Sequence, residues 1–419
     1  MPVRAGTPRP NQNNTMKKST ILSILTTFVA FSYAQSPIGL ENTNRTPVPK
    51  DSIFRTPAYL QNPGTTSMTV MWLTNVPSES WVEFGTDTNN LQRARTMVDG
   101  IAMANNTINR IVLRNLKPGT RYYYRVLSRE ITLYQPYRKE FGHTAISNWA
   151  YFTTFSDTQT DFTAIIFNDL HDRFPLIDHL YNLVKDIPHD IVFFNGDNLS
   201  DIQSQEVAVR TIRHFSRTIR ADHIPSVYVR GNHEMRGAYS PFLYKELLGY
   251  VDVNNRPFGA FNIGDTRFVI LDAGEDKPDE HENYYGLNNF AEYRKEQAEF
   301  LRKELASPEF QSANRRVLIH HIPAWGMIPF DWNPTNFNAG LQYWGDVLKN
   351  APFDIALNGH THRYAFHPKG TKDNNPYPIM VGGSSNLPQA TVAILRKKGN
   401  RLNLTVLSST GEVLLSENL

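Results

Sequence analysis

Five short apolar runs in this 419-residue chain end in side chains of the types that bind metal ions. Phe162 to Phe167 runs into Asn168-Asp169-Leu170-His171, Ile191 to Phe194 leads to Gly196-Asp197-Asn198, and Ser226 to Val229 leads to Gly231-Asn232-His233-Glu234. Arg316 to Ile319 ends in His320-His321, and Asp354 to Leu357 leads to Gly359-His360-Thr361-His362. A lone Asp169, Asp197 or His233 reads as a turn or cap residue, and Asn232 alone carries no weight. Oxygen and imidazole groups repeated at five run ends read differently: brought into one crevice, they are a ligand set for divalent metal.

The element that brings such residues together is a parallel sheet, whose carboxyl ends open on a common crevice. From Asp161 onward strand-like runs alternate with helical periods. Leu176, Leu180 and Leu183 fall at i, i+4 and i+7, and a looser helical pattern covers Phe290 to Leu305 with Glu and Lys on its other face. That alternation predicts a layered α/β domain over 160–419. Pro378 to Val381, Thr391 to Leu395, Leu402 to Leu407 and Glu412 to Leu415 return to strand-like runs and are expected to extend its sheets.

Before Asp161 the texture changes. Met68 to Leu73, Ser80 to Phe84, Thr107 to Leu113, Arg121 to Leu127 and Trp149 to Thr153 are short strands separated by turn residues, which predicts an all-β sandwich over 55–156. Trp72 and Tyr122 to Tyr124 read as its core rather than as a carbohydrate-binding face. Ser128 to Ser147, with Arg129, Tyr134, Tyr137 and Arg138, is a polar insertion with no readable role.

The five segments, in order, resemble the calcineurin-like metallophosphoesterase superfamily, whose pattern is D-x-H, G-D, G-N-H-D/E, a lone H and G-H-x-H. Thr69-Val70-Met71-Trp72, Val82-Glu83-Phe84-Gly85 and Leu116 to Tyr124 resemble the fibronectin type III-like N-terminal domain of purple acid phosphatases. The resemblance implies a four-layer α/β/β/α sandwich for the second domain and a centre of two divalent ions, Mn, Fe, Zn or a mixture. It implies that Asp169, His171 and His362 hold one ion, that Asn232, His321 and His360 hold the other, and that Asp197 bridges them. Two such ions generate a hydroxide nucleophile and clamp a phosphate ester. His233 is then expected beside the leaving oxygen as general acid or as a stabiliser of the phosphoryl group, oriented by Glu234 or Asp201. His320 and His321 compete for the lone ligand, and Pro323, two residues beyond His321, favours the latter. Asn232, His233, Arg236, Tyr239, Trp325 and the stretch His281 to Tyr285 are candidate substrate contacts, the loop residues because loops at sheet ends carry specificity. The other histidines, at 143, 179, 189, 214, 223, 281 and 367, read as surface or satisfied polar residues.

Two departures stand out. Purple enzymes carry G-D-x-x-Y with a Tyr ligand to ferric iron and D-x-G earlier; here Ser200 takes the Tyr position and His171 the Gly position. An imidazole in place of a phenolate favours divalent ions over ferric iron, so no purple colour is expected.

Composition bounds the rest. A net charge of +3, 20% charged and 12% aromatic residues exclude a nucleic-acid-coating protein, which would show basic blocks. Mean hydropathy of −0.44 fits a soluble globular chain. Residues 1–15 read as a mis-called start or an expression leftover. Met16-Lys17-Lys18, the apolar run Ile21 to Phe31 and the exit Ser32-Tyr33-Ala34 then read as a signal peptide over 16–34, the run being short of the ~20 residues a membrane span requires. Residues 35–54 read as a linker. The expectation is an exported protein, periplasmic or extracellular, without a stable span after cleavage. With no Cys, it must be stabilised by packing and metal. The predicted function is a dimetal phosphoesterase acting on a small-molecule phosphate ester, leaning to monoesters. A phosphodiesterase, cyclic-nucleotide or other, is the alternative within the enzyme class. A binding protein using the metal domain as a scaffold is the alternative outside it. The oligomeric state is not legible.

Overall fold

The computed structural model of the chain describes residues 44–251, 255–327 and 337–419. The predicted signal peptide and the segment before it lie outside these residues. Asn42–Leu419 form one compact unit. Among the described residues no helix is long and apolar enough to cross a membrane.

The α/β part has two sheets face to face. In the first, Phe162–Phe167, Ile191–Asn195 and Ser226–Val229 run parallel as neighbours, and Thr391–Lys398, Arg401–Ser408 and Val413–Asn418 extend it antiparallel on the Phe162 side. The second has the order Gly259–Ile263, Thr266–Ile270, Arg315–Ile319, Ile355–Asn358, Ile379–Val381, Ala365–His367, with its four central strands parallel. The central strands are apolar on both faces, as a doubly covered sheet requires. Ile166, Phe193, Val227, Phe268, Val317 and Leu357 fill the space between the sheets. Helices Phe174–Val184 and Gln205–Thr218 cover the outside of the first sheet, while Phe290–Leu305 and Ala339–Leu348 cover the second. The layers are therefore α/β/β/α, as expected, and the helical period over Phe290 to Leu305 became a helix with those bounds.

The N-terminal part differs from its expectation in two places. Met68 to Leu73 and Ser80 to Phe84 are one strand, Met68–Gly85, irregular between Leu73 and Ser78. Its first half pairs with Ala104–Leu113 and its second with Arg121–Tyr134, so a single strand changes partners where two were read. The polar insertion is a hairpin: Arg121–Tyr134 runs on and pairs with Lys139–Ile146, with Arg129 bound to Glu79 and seated over the Phe141 ring. Alternating charges and aromatics gave no core face to read there, since their ladder lies partly in solvent. Trp72, Tyr122 and Tyr124 are buried in the core of this domain. The last part of the predicted linker lies along the hairpin, where Arg45 N–H donates to Thr132 O (3.0 Å) and Val48 N–H to the Glu130 carboxylate.

The two parts share a sheet. Tyr59–Gln61 is antiparallel to Met68–Gly85 on one side and meets Ser226–Val229 in parallel on the other, with Gln61 opposite Ser226. Tyr59, Met71 and Leu73 consequently pack into the same core as the two helices on the first sheet.

Phe193 tests the seam between the sheets: it is fully buried and stacked on Phe268 at 5.4 Å. Phe193→Ala is expected to cost about 3–5 kcal/mol, read as a lowered midpoint at unchanged slope in urea unfolding.

Candidate metal centre

All five run ends arrive at the same edge of the paired sheets. The turns that follow the strands are tight, and Asp169 (φ 54°), Asp197 (φ 51°), His360 (φ 74°) and His362 (φ 53°) take left-handed backbone there. Asp, Asn and His tolerate this conformation better than other side chains, and runs of it mark sites where geometry outranks local comfort. The turns are tied to each other. Asp169 N–H donates to Gly196 O (3.0 Å), His171 N–H to Asp197 O (2.9 Å), and Gly359 N–H to His321 O (2.9 Å). A Cβ on Gly196 would lie 2.3 Å from the His321 ring, and one on Gly231 would lie 2.3 Å from Asp197 Oδ1, so the close approach leaves room for glycine only.

Two groups of ligand atoms result. Asp169, His171, Asp197 and His362 form one; Asp197, His321 and His360 form the other, and within each group the atoms lie within 4.8 Å of one another. Asp197 belongs to both. Its Oδ2 is 3.1 Å from His321 Nε2 and 3.9 Å from His171 Nε2, while His171 Nε2 and His362 Nε2 are 3.1 Å apart. Asn232 joins the second group through its Oδ1, 2.9 Å from His360 Nδ1.

The electrostatics call for cations. Burial pushes His171 down to about 4 against the pull of Asp197 and Asp169, and burial with the nearby His321 does the same to His360. Both imidazoles are thus neutral at neutral pH, with a lone pair to offer. At His321 burial opposes the charge, yet Asp197 and Asp169 lift the ring to about 10. Two buried carboxylates demand positive charge at this spot, which is what a divalent ion supplies. His321 Nε2 is fully buried and faces Asp197 Oδ2, while its Nδ1–H donates to Asn195 O (2.9 Å), which holds the ring with Nε2 toward the carboxylates. The residues present fit a pair of metal ions.

Of the two candidate histidines, His321 stands with Asp197 and His360. His320 points the other way, its Nδ1 bound to Ile322 O (2.8 Å) and its ring against Trp344. Adjacent residues at a strand end face opposite sides.

Of the two proposed orienters of His233, Asp201 is the one in contact, at 3.1 Å from His233 Nδ1. Glu234 does something else. Fully buried, it accepts backbone N–H bonds from Asp197 (2.9 Å), Asn198 (2.7 Å), Leu199 (2.9 Å) and Gly231 (2.9 Å), locking the turns of Asp197 and Asn232 together. Burial and the neighbouring Asp197 raise it to about 7, against the pull of those N–H groups.

Among the candidate substrate contacts, Arg236 reaches the site: Nη1 is 3.1 Å from His233 Nε2, and the guanidinium is paired with Glu275 (3.0 Å) and Asp276 (3.2 Å). Tyr284 closes that cluster through a hydrogen bond to Glu275 (3.0 Å). Tyr239 and Trp325 turn inward. Tyr239 is buried in the core with its hydroxyl on Glu246, and Trp325 is buried against Tyr377; in each case apolar surface outweighed the loop position that suggested a contact.

Sequence reading missed two supporting groups. Ser200, at the place where purple enzymes have Tyr, binds His171 Nδ1 through its hydroxyl (2.8 Å), so the two departures are one exchange of partners. Asp172 caps the same turn, accepting from Ser200 N–H (2.7 Å) and the Thr211 hydroxyl (2.6 Å). An open cavity of about 570 Å³ begins at Asp172 and is lined further by Phe174, Pro175, Leu176 and Leu387.

Residues 162–364 match the calcineurin-like phosphoesterase family, and residues 56–154 match the purple acid phosphatase N-terminal domain. The chain carries a calcineurin-like metallophosphoesterase domain behind a purple acid phosphatase N-terminal domain. Acid phosphatase type 7 of mouse is 29% identical over 195 residues, 44% of this chain and 41% of its own length, and the human protein of that name matches to the same extent. The chain therefore spans less than half the length of these curated relatives. A purple acid phosphatase from yellow lupin shares the fold at TM-score 0.62 and 18% identity, over 86% of this chain and 73% of its own. The structure of PhoD does so at TM-score 0.59 and 12% identity, over 89% and 94%.

Ser200→Ala is expected to leave the fold intact and weaken metal affinity about 10-fold through the loosened His171, measured by competition with a chromophoric chelator. Glu234→Gln, which sets an amide NH₂ against N–H donors, is expected to cost about 1–3 kcal/mol, measured by urea unfolding.

Proposed function

We propose that this chain hydrolyses phosphate esters, with a preference for monoesters, at a two-metal centre. Asp169, His171 and His362 would hold one ion, Asn232, His321 and His360 the other, and Asp197 both. The observation that carries the reading is Asp197's membership in both ligand groups, since one shared carboxylate is how two ions are kept close enough to act on one phosphate. When bound, two divalent ions would supply Lewis acidity and an activated water. The preference for Mn, Zn or Fe(II) follows from the neutral His171 and its Ser200 partner where purple enzymes use a phenolate. The monoester preference is supported by the acid phosphatase names of the mouse and human relatives.

His233 belongs to neither ligand group; to give a proton to the leaving oxygen its Nε2 would take up a proton and exchange the Arg236 contact for the ester. Its backbone N–H donates to Asp197 Oδ1 (2.8 Å), tying the ring's position to the shared carboxylate, and its ring stands edge-on to His171 at 4.6 Å. Arg236 can only donate, so in this arrangement Nε2 accepts and Nδ1 carries the proton shared with Asp201. With two carboxylates against it, Arg236 acts mainly to hold His233, and little of its charge is left for a phosphate. The cavity beside Asp172 offers room for a second ester substituent and is the observation favouring a diesterase. Export through the Met16–Ala34 segment is part of the same proposal, tested by the N-terminus of protein recovered outside the cytoplasm.

The deciding experiment compares a chromogenic phosphomonoester with its diester on metal-stripped protein refilled with Mn, Zn or Fe(II). A metal-dependent rate with the monoester preferred is expected, and the reverse preference selects the diesterase. Asp197→Asn is expected to lose metal loading and activity together. His233→Ala should keep its metal and lose about 10²-fold in kcat; wild-type turnover in that variant removes its proposed role. Stoichiometric loading without turnover on either ester overturns the enzyme reading.

A further inference from the structure

The segment Arg230 to Tyr250 leaves the first sheet carrying Asn232, His233, Glu234 and Arg236, and its far end rests on the N-terminal domain. Arg110, in the strand Ala104–Leu113, is largely buried, and its Nη2 donates to the carbonyls of Tyr244, Lys245 (2.9 Å) and Leu248. Tyr59 Oη donates to Leu247 O (2.8 Å), Gly249 N–H to Gln61 Oε1, and Asn62 Nδ2 to Tyr250 O. Farther in, the Tyr239 hydroxyl and Gln205 Nε2 (3.0 Å) both bind the buried Glu246, and Arg55 Nη1 reaches Gln205 Oε1 (3.2 Å) from the N-terminal domain. Tyr239 N–H donates to Ile202 O (3.0 Å) and Asp201 N–H to His233 O (3.2 Å), so the chain of contacts closes on the turn that bears Asp197.

We propose that Arg110, with Asn62, is a positioning element for the metal-site segment: the N-terminal domain sets the place of His233 and Asn232 by holding the segment's far end. One end is fixed by Glu234 to the Asp197 turn, the other by a guanidinium shared among three carbonyls, whose loss takes that donor from all three. Without that donor the far end is held by Tyr59, Gln61 and the burial of Leu243, Leu247 and Leu248, which leaves it more freedom to shift, and a reacting group displaced by about 1 Å loses rate steeply. The kinetic part of this inference rests on the phosphoesterase reading; the structural part does not.

The test is amide hydrogen exchange on the metal-loaded full-length protein, with kinetics beside it. Arg110→Gln is expected to speed exchange of Gly231, His233 and Asp197 to Leu199 by 10-fold or more, while amides of Met68–Gly85 keep wild-type protection. Its kcat should fall about 10-fold with KM and metal affinity within 2-fold, and Arg110→Lys should restore part of both. Asn62 sits at φ 47°, a conformation glycine takes freely, so Asn62→Gly deletes the donor without strain and decides the matter if Arg110→Gln does not fold. Unchanged exchange at 231–233 and 197–199, or exchange raised equally throughout the N-terminal strands, overturns the proposal in favour of a stabilising role alone. If the wild type turns over neither ester, the exchange result still decides the structural part.

Discussion

Buried carboxylates facing buried imidazoles are the constraint on which the rest of this molecule depends. Asp169 and Asp197 have almost no contact with solvent, and the rings of His321 and His360 are as enclosed. Such a cluster is costly unless positive charge lies among the carboxylates. The protein meets that cost with structure: strand ends that deliver the ligands, left-handed turns that aim them, and glycines that let the turns touch. The cations that the cluster calls for would turn the same arrangement into a source of stability as well as of chemistry.

Glu234 shows how closely the cradle and its chemistry are joined. One carboxylate gathers four backbone N–H groups from two turns, so Asp197 and Asn232 are placed relative to each other before any ion arrives. Its neighbour His233 is held from three sides, by Asp201, by Arg236 and through its own amide on Asp197. Preorganisation of this kind removes the conformational cost of assembling a site at the moment of use.

The N-terminal domain enters the same account. Because Tyr59–Gln61 is a strand of both parts, and because Tyr59, Met71 and Leu73 pack under the helices of the first sheet, separating the parts would expose core. Burial of that apolar surface makes the two parts one body, and the polar contacts of Arg110, Gln61 and Asn62 are then laid down at a fixed seam.

What the sequence determined by itself was everything carried by local period and by residue type. Apolar runs ending in Asp, Asn and His announced strands feeding a crevice, i, i+4, i+7 leucines announced Phe174–Val184, and a layered α/β domain followed from their alternation, the four-layer α/β/β/α order being what the family resemblance implied. The tertiary structure alone decided what depends on direction and distance. Whether His320 or His321 faces the crevice is a matter of which way a strand-end side chain points, settled by the Asn195 carbonyl and the Trp344 ring. Glu234 as a clamp and Ser200 as the partner of His171 join residues 35 or 29 positions apart, and Arg110 reaches Leu248 across 138. Tyr239 and Trp325 sit in loops and went inward because apolar surface had a core to join. Spacing along the chain encodes periodic burial, whereas hydrogen-bond partners are chosen only after the chain has folded back on itself.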